Sequence, residues 1–415
     1  MSEVAPARAV AFRVVRRVFE NDSYADRALR SESAQLDERD RALARRLAYG
    51  TVQRTRTLDH AIETLARRPI RKLDPPVAAA LRLGAYQLAF MDGVPRYAAV
   101  NESVELVRRA GLERAVSFAN AVLRRLADGA RPLVESLPEA TAREAALRHS
   151  YPDWVAETWW AELGPDEARA LMVAQNEEAE TAVRLVRGAI DGRPDPAIPG
   201  AWVVDRVDGQ ALAGGRIWPQ SRASQLVGHA VGSRPGERTL DLCAAPGGKA
   251  TMLAGDVDAV EVDEGRADAL RATVERLGAT GVRVVHADGR ALPPDLSGYD
   301  RALVDAPCSG LGVLASRPDL RWRAEPLPEL QLELLRAAVE RTRRGGTVVY
   351  SVCTINAAES EDVVDAIVAD GTVEVDPTLG DEWPQFRHRH RPDLLQTLPH
   401  LHRTSGFFVA RLRRT

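Results

Sequence analysis

A chain of 415 residues, 45% hydrophobic and 28% charged, has room for two or three domains with cores of their own, and its balance is that of a soluble globular protein. No stretch approaches the roughly 18 apolar residues that a membrane span needs, and the start Met1-Ser-Glu-Val-Ala-Pro6 lacks the basic and apolar regions of a secretory signal. Three cysteines are too few for a disulfide framework, so no membrane partner, reduced thiols and a cytoplasmic location are expected.

Net charge is −3, but it is unevenly spread. Residues 1–130 carry 23 basic and 16 acidic side chains, a net +7, so the remainder carries −10. A positive front on an acidic body is a nucleic-acid footprint, or else an ordinary solvated helical surface. Of the 56 basic residues only Lys72 and Lys249 are lysine. A lysine kept against such a bias suggests a need for a compact ammonium at that place.

Residues 6–128 read as consecutive amphipathic helices. Ala9–Val18 has apolar residues at helical spacing, Leu47-Ala-Tyr-Gly50 looks like a helix running to a glycine stop, and Pro75-Pro76 opens an apolar helix through Phe90. Asp92-Gly-Val-Pro95 is a turn, and Asn101 is expected to cap a helix over Glu102 to Arg109. An all-α domain over 1–130 is therefore expected. Residues 131–230 read as a helical connector, with Tyr151-Pro-Asp-Trp154 and Trp159-Trp160, followed by a small α+β subdomain with an RRM-like character.

From 231 to 415 strands alternate with helices. Strands are expected at Arg238–Leu242, Ala259–Val262, Val282–His286, Arg301–Val304, Gly346–Val352 and Gly406–Leu412, with helices from Lys249, through Leu277, over Leu327–Arg343 and over Ala357–Ala369. The pattern predicts an α/β, Rossmann-like, mostly parallel seven-stranded sheet. Ligands of such sheets bind at the carboxyl ends of the strands, and three motifs fall there: Asp241-Leu-Cys-Ala-Ala-Pro-Gly-Gly-Lys249, Asp305-Ala-Pro-Cys-Ser309 and Tyr350-Ser-Val-Cys353.

In the first motif Gly247-Gly248 permits close backbone approach to a ligand, and a following helix would offer free N–H groups. The loop is neither Gly-x-Gly-x-x-Gly nor a P-loop, since Ala250 follows Lys249, which argues against a dinucleotide and against ATP. Glu261 ends the next strand, where an acid commonly binds a ribose diol. Asp288, after the third strand, could accept from an adenine amine, or could simply cap a helix. Strand, glycine loop and acid together point to an adenosyl ligand.

All three cysteines lie in these motifs. Cys308 sits in a tight turn after one strand and Cys353 ends the fifth. A lone cysteine at a strand end is usually a small buried hydrophobe. Two at neighbouring strand ends facing one pocket suggest a thiol nucleophile, such as the one that activates carbon 5 of cytosine by adding to carbon 6.

These three motifs, with Thr354 and Glu359, resemble the RNA 5-methylcytosine methyltransferases of the RsmB/NOP/NSUN family. The helical front, with Val94-Pro-Arg-Tyr-Ala-Ala-Val-Asn-Glu-Ser103, resembles the NusB-like domain of a bacterial branch. The resemblance spans nearly the whole chain. It implies S-adenosylmethionine as donor and a cytosine of 16S ribosomal RNA as target. It further implies Cys353 as nucleophile and Cys308 as an aid to product release. Asp305 would contact both the cytosine ring and the donor, and Cys243, Ala244, Ala245, Pro246, Gly247, Gly248, Lys249, Glu261 and Asp288 would hold the donor. Cys243 is then a loop-packing residue. The chain departs from the family where Val352-Cys-Thr354 replaces Thr-Cys-Ser, where Gln220-Ser-Arg-Ala-Ser224 lacks the usual aspartate, and where Ser360 replaces asparagine.

Other signals are less specific. Arg387-His-Arg-His-Arg391 is a basic loop suited to phosphates or to solvent. His388, His390, His400 and His402 match no zinc spacing, so no metal is expected. Arg321-Trp-Arg323 could clamp a flipped nucleotide or pack as a lid on the sheet. A monomeric enzyme on naked or partly assembled 16S RNA is the leading expectation. The alternatives are a transfer-RNA enzyme, a non-catalytic NusB-like binding module and, least favoured, a dehydrogenase.

Overall fold

The computed structural model describes residues 4–415; residues 1–3, on which the reading of a leaderless start partly rests, lie outside them. The chain divides into two compact units. One runs to Glu177 and includes Leu314–Arg323; the other comprises Glu178–Val313 and Ala324–Thr415. The segment 131–230 is thus shared between the two.

The first unit is helical. Apolar residues at helical spacing make Pro6–Glu20 a helix whose Val10, Val14, Val15 and Val18 are buried. Asp37 caps Glu38–Gln53 by accepting from the Asp40 N–H at 2.8 Å. That helix does not stop at Gly50. Gly50 lies inside it because a Cβ there would collide with the Tyr86 ring of the helix Pro75–Phe90, so the glycine serves close helix packing. Asn101 is likewise no cap: the helix begins earlier, as Arg96–Arg109, with Pro95 at its N-cap. A proline that ends a turn is already set for helix entry, and Ala99 and Val100 extend the buried face forward. The connector forms helices Ala142–His149, Asp153–Leu163 and Pro165–Ala174, the first opened by a Thr141–Glu144 capping box. Tyr151 and Trp159 are buried edge to face, 5.4 Å apart.

The second unit opens with a small antiparallel sheet of β1 (Ala182–Leu185), β2 (Arg193–Pro194), β3 (Ala201–Val203) and β4 (Ile217–Pro219), in the order β2-β3-β1-β4. The large sheet follows: β5 (Arg238–Asp241), β6 (Asp256–Glu261), β7 (Val282–His286), β8 (Tyr299–Asp305), β9 (Thr342–Val352), β10 (Val373–Val375), β11 (Leu395–Thr397) and β12 (Phe407–Arg414). Seven strands run in the order β10-β12-β9-β8-β5-β6-β7, and an eighth, β11, pairs with β12. β5 to β9 pair in parallel, while β12 returns antiparallel to β9. The expected Rossmann-like, mostly parallel sheet is present, with β10 and β11 as additions too short to read as apolar runs.

Both faces are covered, which is why the central strands are apolar without a polar side. Ala302 and Val304 of β8, with Val348, Tyr350 and Val352 of β9, enter one core. Leu303 and Val349 enter the other. Each such aliphatic side chain is worth about 1.5–3 kcal/mol on full burial. The helix expected from Lys249 does not form. Only a 3-10 turn, Ala250–Met252, separates the loop from β6, which starts at Asp256, earlier than expected. Gly255, at φ +80°, closes the turn, and too few residues remain for an α-helix.

Candidate active site

Strand order reverses direction between β5 and β8, the point where open α/β sheets bind ligands. Asp241 and Asp305 end these two strands. Between them lies the loop Cys243–Lys249. Gly247 has φ +101°, and a Cβ there would come within 2.7 Å of Leu270. A Cβ on Gly248 would approach Trp218 Nε1 at 3.0 Å. The small sheet therefore backs the glycine loop through Trp218 and Gln220. No periodicity in the sequence signals this neighbour.

Lys249 Nζ donates to Asp305 Oδ2 at 2.6 Å and lies 5.2 Å from the Phe407 ring centre. The other oxygen, Asp305 Oδ1, accepts from Ser351 Oγ at 2.7 Å. One carboxylate thus joins the glycine loop to β9, the strand that leads to Cys353. Glu261 is buried, with Oε1 accepting from the Asp263 N–H at 3.1 Å and Oε2 paired to Arg266 at 3.2 Å. Asp288 is half-buried and engaged by Arg290, which donates its backbone N–H at 2.9 Å and its guanidinium at 2.8 Å. These contacts hold the Asp288 carboxyl below its usual range. Asp288 therefore makes the local cap-like contact that its position at a strand end allowed.

Asp241, the last residue of β5, is a site residue that the strand pattern alone does not single out. It is 1% exposed, and neither oxygen has a hydrogen-bond partner of ordinary geometry. Burial first, then the nearby Asp305, push its carboxyl up to about 7, while Lys249 and the Cys243 amide pull it down. A buried carboxylate without a hydrogen-bond partner beside a glycine cradle has acceptor capacity left for donors of a ligand. It carries a stability consequence. Between about pH 4 and pH 7 the native state binds the proton that the unfolded chain has released, so stability falls as pH rises through that window. Asp241→Asn is expected to stabilise the donor-free protein at pH 8 by on the order of 1–3 kcal/mol and to change little at pH 4. Melting curves at the two pH values check this; equal shifts at both would refute it.

The two thiols meet. Cys308 Sγ and Cys353 Sγ are 3.3 Å apart, because the parallel pairing of β8 and β9 sets Asp305 opposite Ser351 and so aligns their following residues. The hydrogen bond with Cys353 and then burial hold the Cys308 thiol well above its usual range. Two sulfurs so close cannot both ionise cheaply, so Cys308 keeps its proton while the pair is free. Cys243 is a different case. Burial, and then the carboxylates Asp241, Asp305 and Glu261, push its thiol up, and it packs against the sheet core.

The remaining candidates lie elsewhere. Arg321 is neither a nucleotide clamp nor a lid on the sheet: it is 1% exposed inside the helical unit. Its Nη1 donates to the carbonyls of Gln53 and Ser150, both at 2.9 Å, and to Asn176 Oδ1 at 3.0 Å. Its guanidinium lies 4.1 Å from the Tyr151 ring centre. Trp322 Nε1 donates to the Val52 carbonyl at 2.8 Å, and Arg323 to the carbonyls of Val18, Asp22 and Ser23. In the loop 387–391, Arg387 pairs with Asp381, buried His388 with Glu361, and Arg391 with Asp365 and Asp393.

Sheet order, glycine loop and strand-end acids define a Rossmann-like domain of the kind that binds an adenosyl ligand, in a chain that also carries a helical unit. Residues 229–413 match the family of 16S rRNA methyltransferase RsmB/F, and residues 5–128 match the NusB family. The ribosomal RNA small subunit methyltransferase B of Thermus thermophilus is 38% identical, over 83% of this chain and 82% of that one. A "Probable ribosomal RNA small subunit methyltransferase B" of Synechocystis sp. is 33% identical, over 98% of this chain and 99% of its own. Among solved structures, PH0851 superposes with a TM-score of 0.83 at 22% identity, covering 99% of both chains. NSun6 from Pyrococcus horikoshii, solved with SFG, gives 0.57 at 20% identity, covering 64% of this chain and 99% of that one. The chain belongs to the RsmB/F family of 16S rRNA methyltransferases. It is an RNA methyltransferase whose methyl donor is S-adenosylmethionine.

Proposed function

We propose that the enzyme methylates carbon 5 of a cytosine in 16S ribosomal RNA through a covalent adduct between Cys353 and carbon 6, acting in the cytoplasm as a monomer. The observation that carries this reading is the pair of sulfurs 3.3 Å apart at neighbouring strand ends, beside the Lys249–Asp305 bridge. Carbon 5 of cytosine is too electron-poor to take a methyl group unaided. A thiolate bonded to carbon 6 turns carbon 5 into an enamine nucleophile.

Cys353 attacks carbon 6. The residues of the loop Cys243–Lys249 would hold the donor, with Glu261 accepting from its ribose hydroxyls and Asp288 from its adenine amine, and the donor would supply the methyl group. Asp305 orients the cytosine ring and is itself oriented by Lys249 and Ser351. Once the Cys353 sulfur is bonded to carbon, it no longer shares a proton with Cys308. Cys308 then loses the largest of the influences that raise it, while burial still raises it; it passes its own proton to solvent, and the thiolate so formed takes the proton from carbon 5. Loss of that proton restores the ring and expels Cys353.

The likeness to relatives named ribosomal RNA small subunit methyltransferase B supports ribosomal RNA as substrate, as does the net +7 of residues 1–130. Labelled S-adenosylmethionine should place label in 5-methylcytosine of 16S RNA, either naked or in a partly assembled subunit, and not in transfer RNA. Label in transfer RNA alone would select the sister reading. Donor binding with no transfer to any RNA would leave a binding module.

A further inference from the structure

Glu359 is fully buried, 0% exposed, and takes no part in the chemistry above. Its Oε1 accepts from the Ser309 N–H at 3.0 Å, the Leu327 N–H at 3.1 Å and Gln331 Nε2 at 2.8 Å. Its Oε2 accepts from Ser309 Oγ and, at 3.3 Å, from Asn356 Nδ2. Ser309 directly follows Cys308 and Thr354 directly follows Cys353, and their hydroxyls are hydrogen-bonded at 2.8 Å. Gln331 also donates to the Pro307 carbonyl at 2.8 Å, on the other side of Cys308. Tyr350, three residues before Cys353, donates to the Glu359 carbonyl at 2.6 Å.

A buried carboxylate costs several kcal/mol of lost solvation unless its lone pairs are met. Here five donors meet them, and they come from the two cysteine turns and the start of the helix Pro328–Arg341. None of the five belongs to the glycine loop. We infer that Glu359 is a positioning residue for the thiol pair: by binding the turn of Cys308 on both its oxygens, and the turn of Cys353 through the Ser309–Thr354 hydroxyl pair, it sets the distance between the two sulfurs.

This rests on the proposed thiol mechanism, and its test separates the two. Glu359→Ala removes all five acceptor contacts, whereas Glu359→Gln keeps the shape and can keep an oxygen at the Oε1 position. Expected for Glu359→Ala is a fall in kcat of about 100-fold, the scale of a 1 Å misplacement. The affinity for S-adenosylmethionine should stay within about twofold, because none of the donors to Glu359 lies in the glycine loop. The rate of covalent capture by RNA carrying 5-fluorocytosine should fall in parallel. Glu359→Gln is expected to recover at least about tenfold of the loss, since a preserved hydrogen-bond geometry is what the role requires. If Glu359→Ala fails to bind the donor or to fold, Ser309→Ala removes only the hydroxyl link and should lower kcat about tenfold with donor binding intact. Wild-type kcat and capture rate in a folded Glu359→Ala, or in Ser309→Ala, would overturn the inference. A wild-type enzyme that makes no 5-methylcytosine and captures no fluorinated RNA would instead sink the thiol mechanism.

Discussion

Cys353→Ala should abolish methyl transfer, with turnover falling by on the order of 10⁴ or more, the scale seen when an attacking group is removed. Cys308→Ala should behave in the opposite way. It leaves the attacking sulfur in place but removes the group 3.3 Å away that accepts the carbon 5 proton. The adduct should then form, accept its methyl group and persist, so that enzyme and RNA migrate together on a denaturing gel in nearly equal amounts. The asymmetry is the informative part. A simple structural role for both cysteines would give two equally inactive proteins and no adduct. A trapped adduct in Cys353→Ala would reverse the two roles. Full activity of Cys353→Ala would remove the covalent mechanism altogether.

The second large effect is expected in the helical unit. Arg321→Ala should destabilise it by roughly 3–5 kcal/mol, combining a large cavity with buried acceptors left unpaired. Its partners at Gln53, Ser150 and Asn176, with Tyr151 Oη at 3.3 Å, are carbonyl, amide or phenol oxygens, not carboxylates. Burial accordingly lowers the guanidinium pKa. Arg321→Met refills the space without the hydrogen bonds and should recover only part of the loss. Chemical denaturation followed by tryptophan fluorescence measures both. RNA affinity below the unfolding transition should be nearly unchanged in either variant, and a selective loss of RNA binding would restore Arg321 to the nucleic-acid surface.

The basic front invites a similar comparison. Arg8 pairs with Glu102 and Arg82 with Asp59, both partly buried, so these two arginines serve packing and exposed ones must carry any phosphate contacts. Exposed single pairs contribute little to stability, which leaves exposed arginines free to be exchanged for RNA phosphates.

The motifs were legible because their structural settings are local. An apolar run followed by small residues and glycine makes a strand and a tight turn whatever surrounds it, so Cys308, Cys353, Asp305 and the loop Cys243–Lys249 could be placed on strand ends from spacing alone. The helical front was legible for the same reason, through period and proline. What spacing could not determine was who meets whom. Gly50 looked like a stop and is a packing contact with Tyr86, because a glycine signals freedom and close approach alike. Arg321 reads either as a nucleotide clamp or as a lid packed on the sheet, and it is buried in the helical unit, because the sequence does not tell an arginine sheltered by carbonyls from one left in water. Asp241 and Glu359 are both buried carboxylates in recognisable motifs, yet one is left without partners and the other receives five. That difference depends on four donors 28 to 50 positions away in the chain and a fifth only three positions away. The placement of these motifs at strand ends was therefore determined by the sequence itself, while the state of each buried charge and the 3.3 Å between the sulfurs were decided by the tertiary structure, since hydrogen-bond satisfaction is a property of neighbours in space.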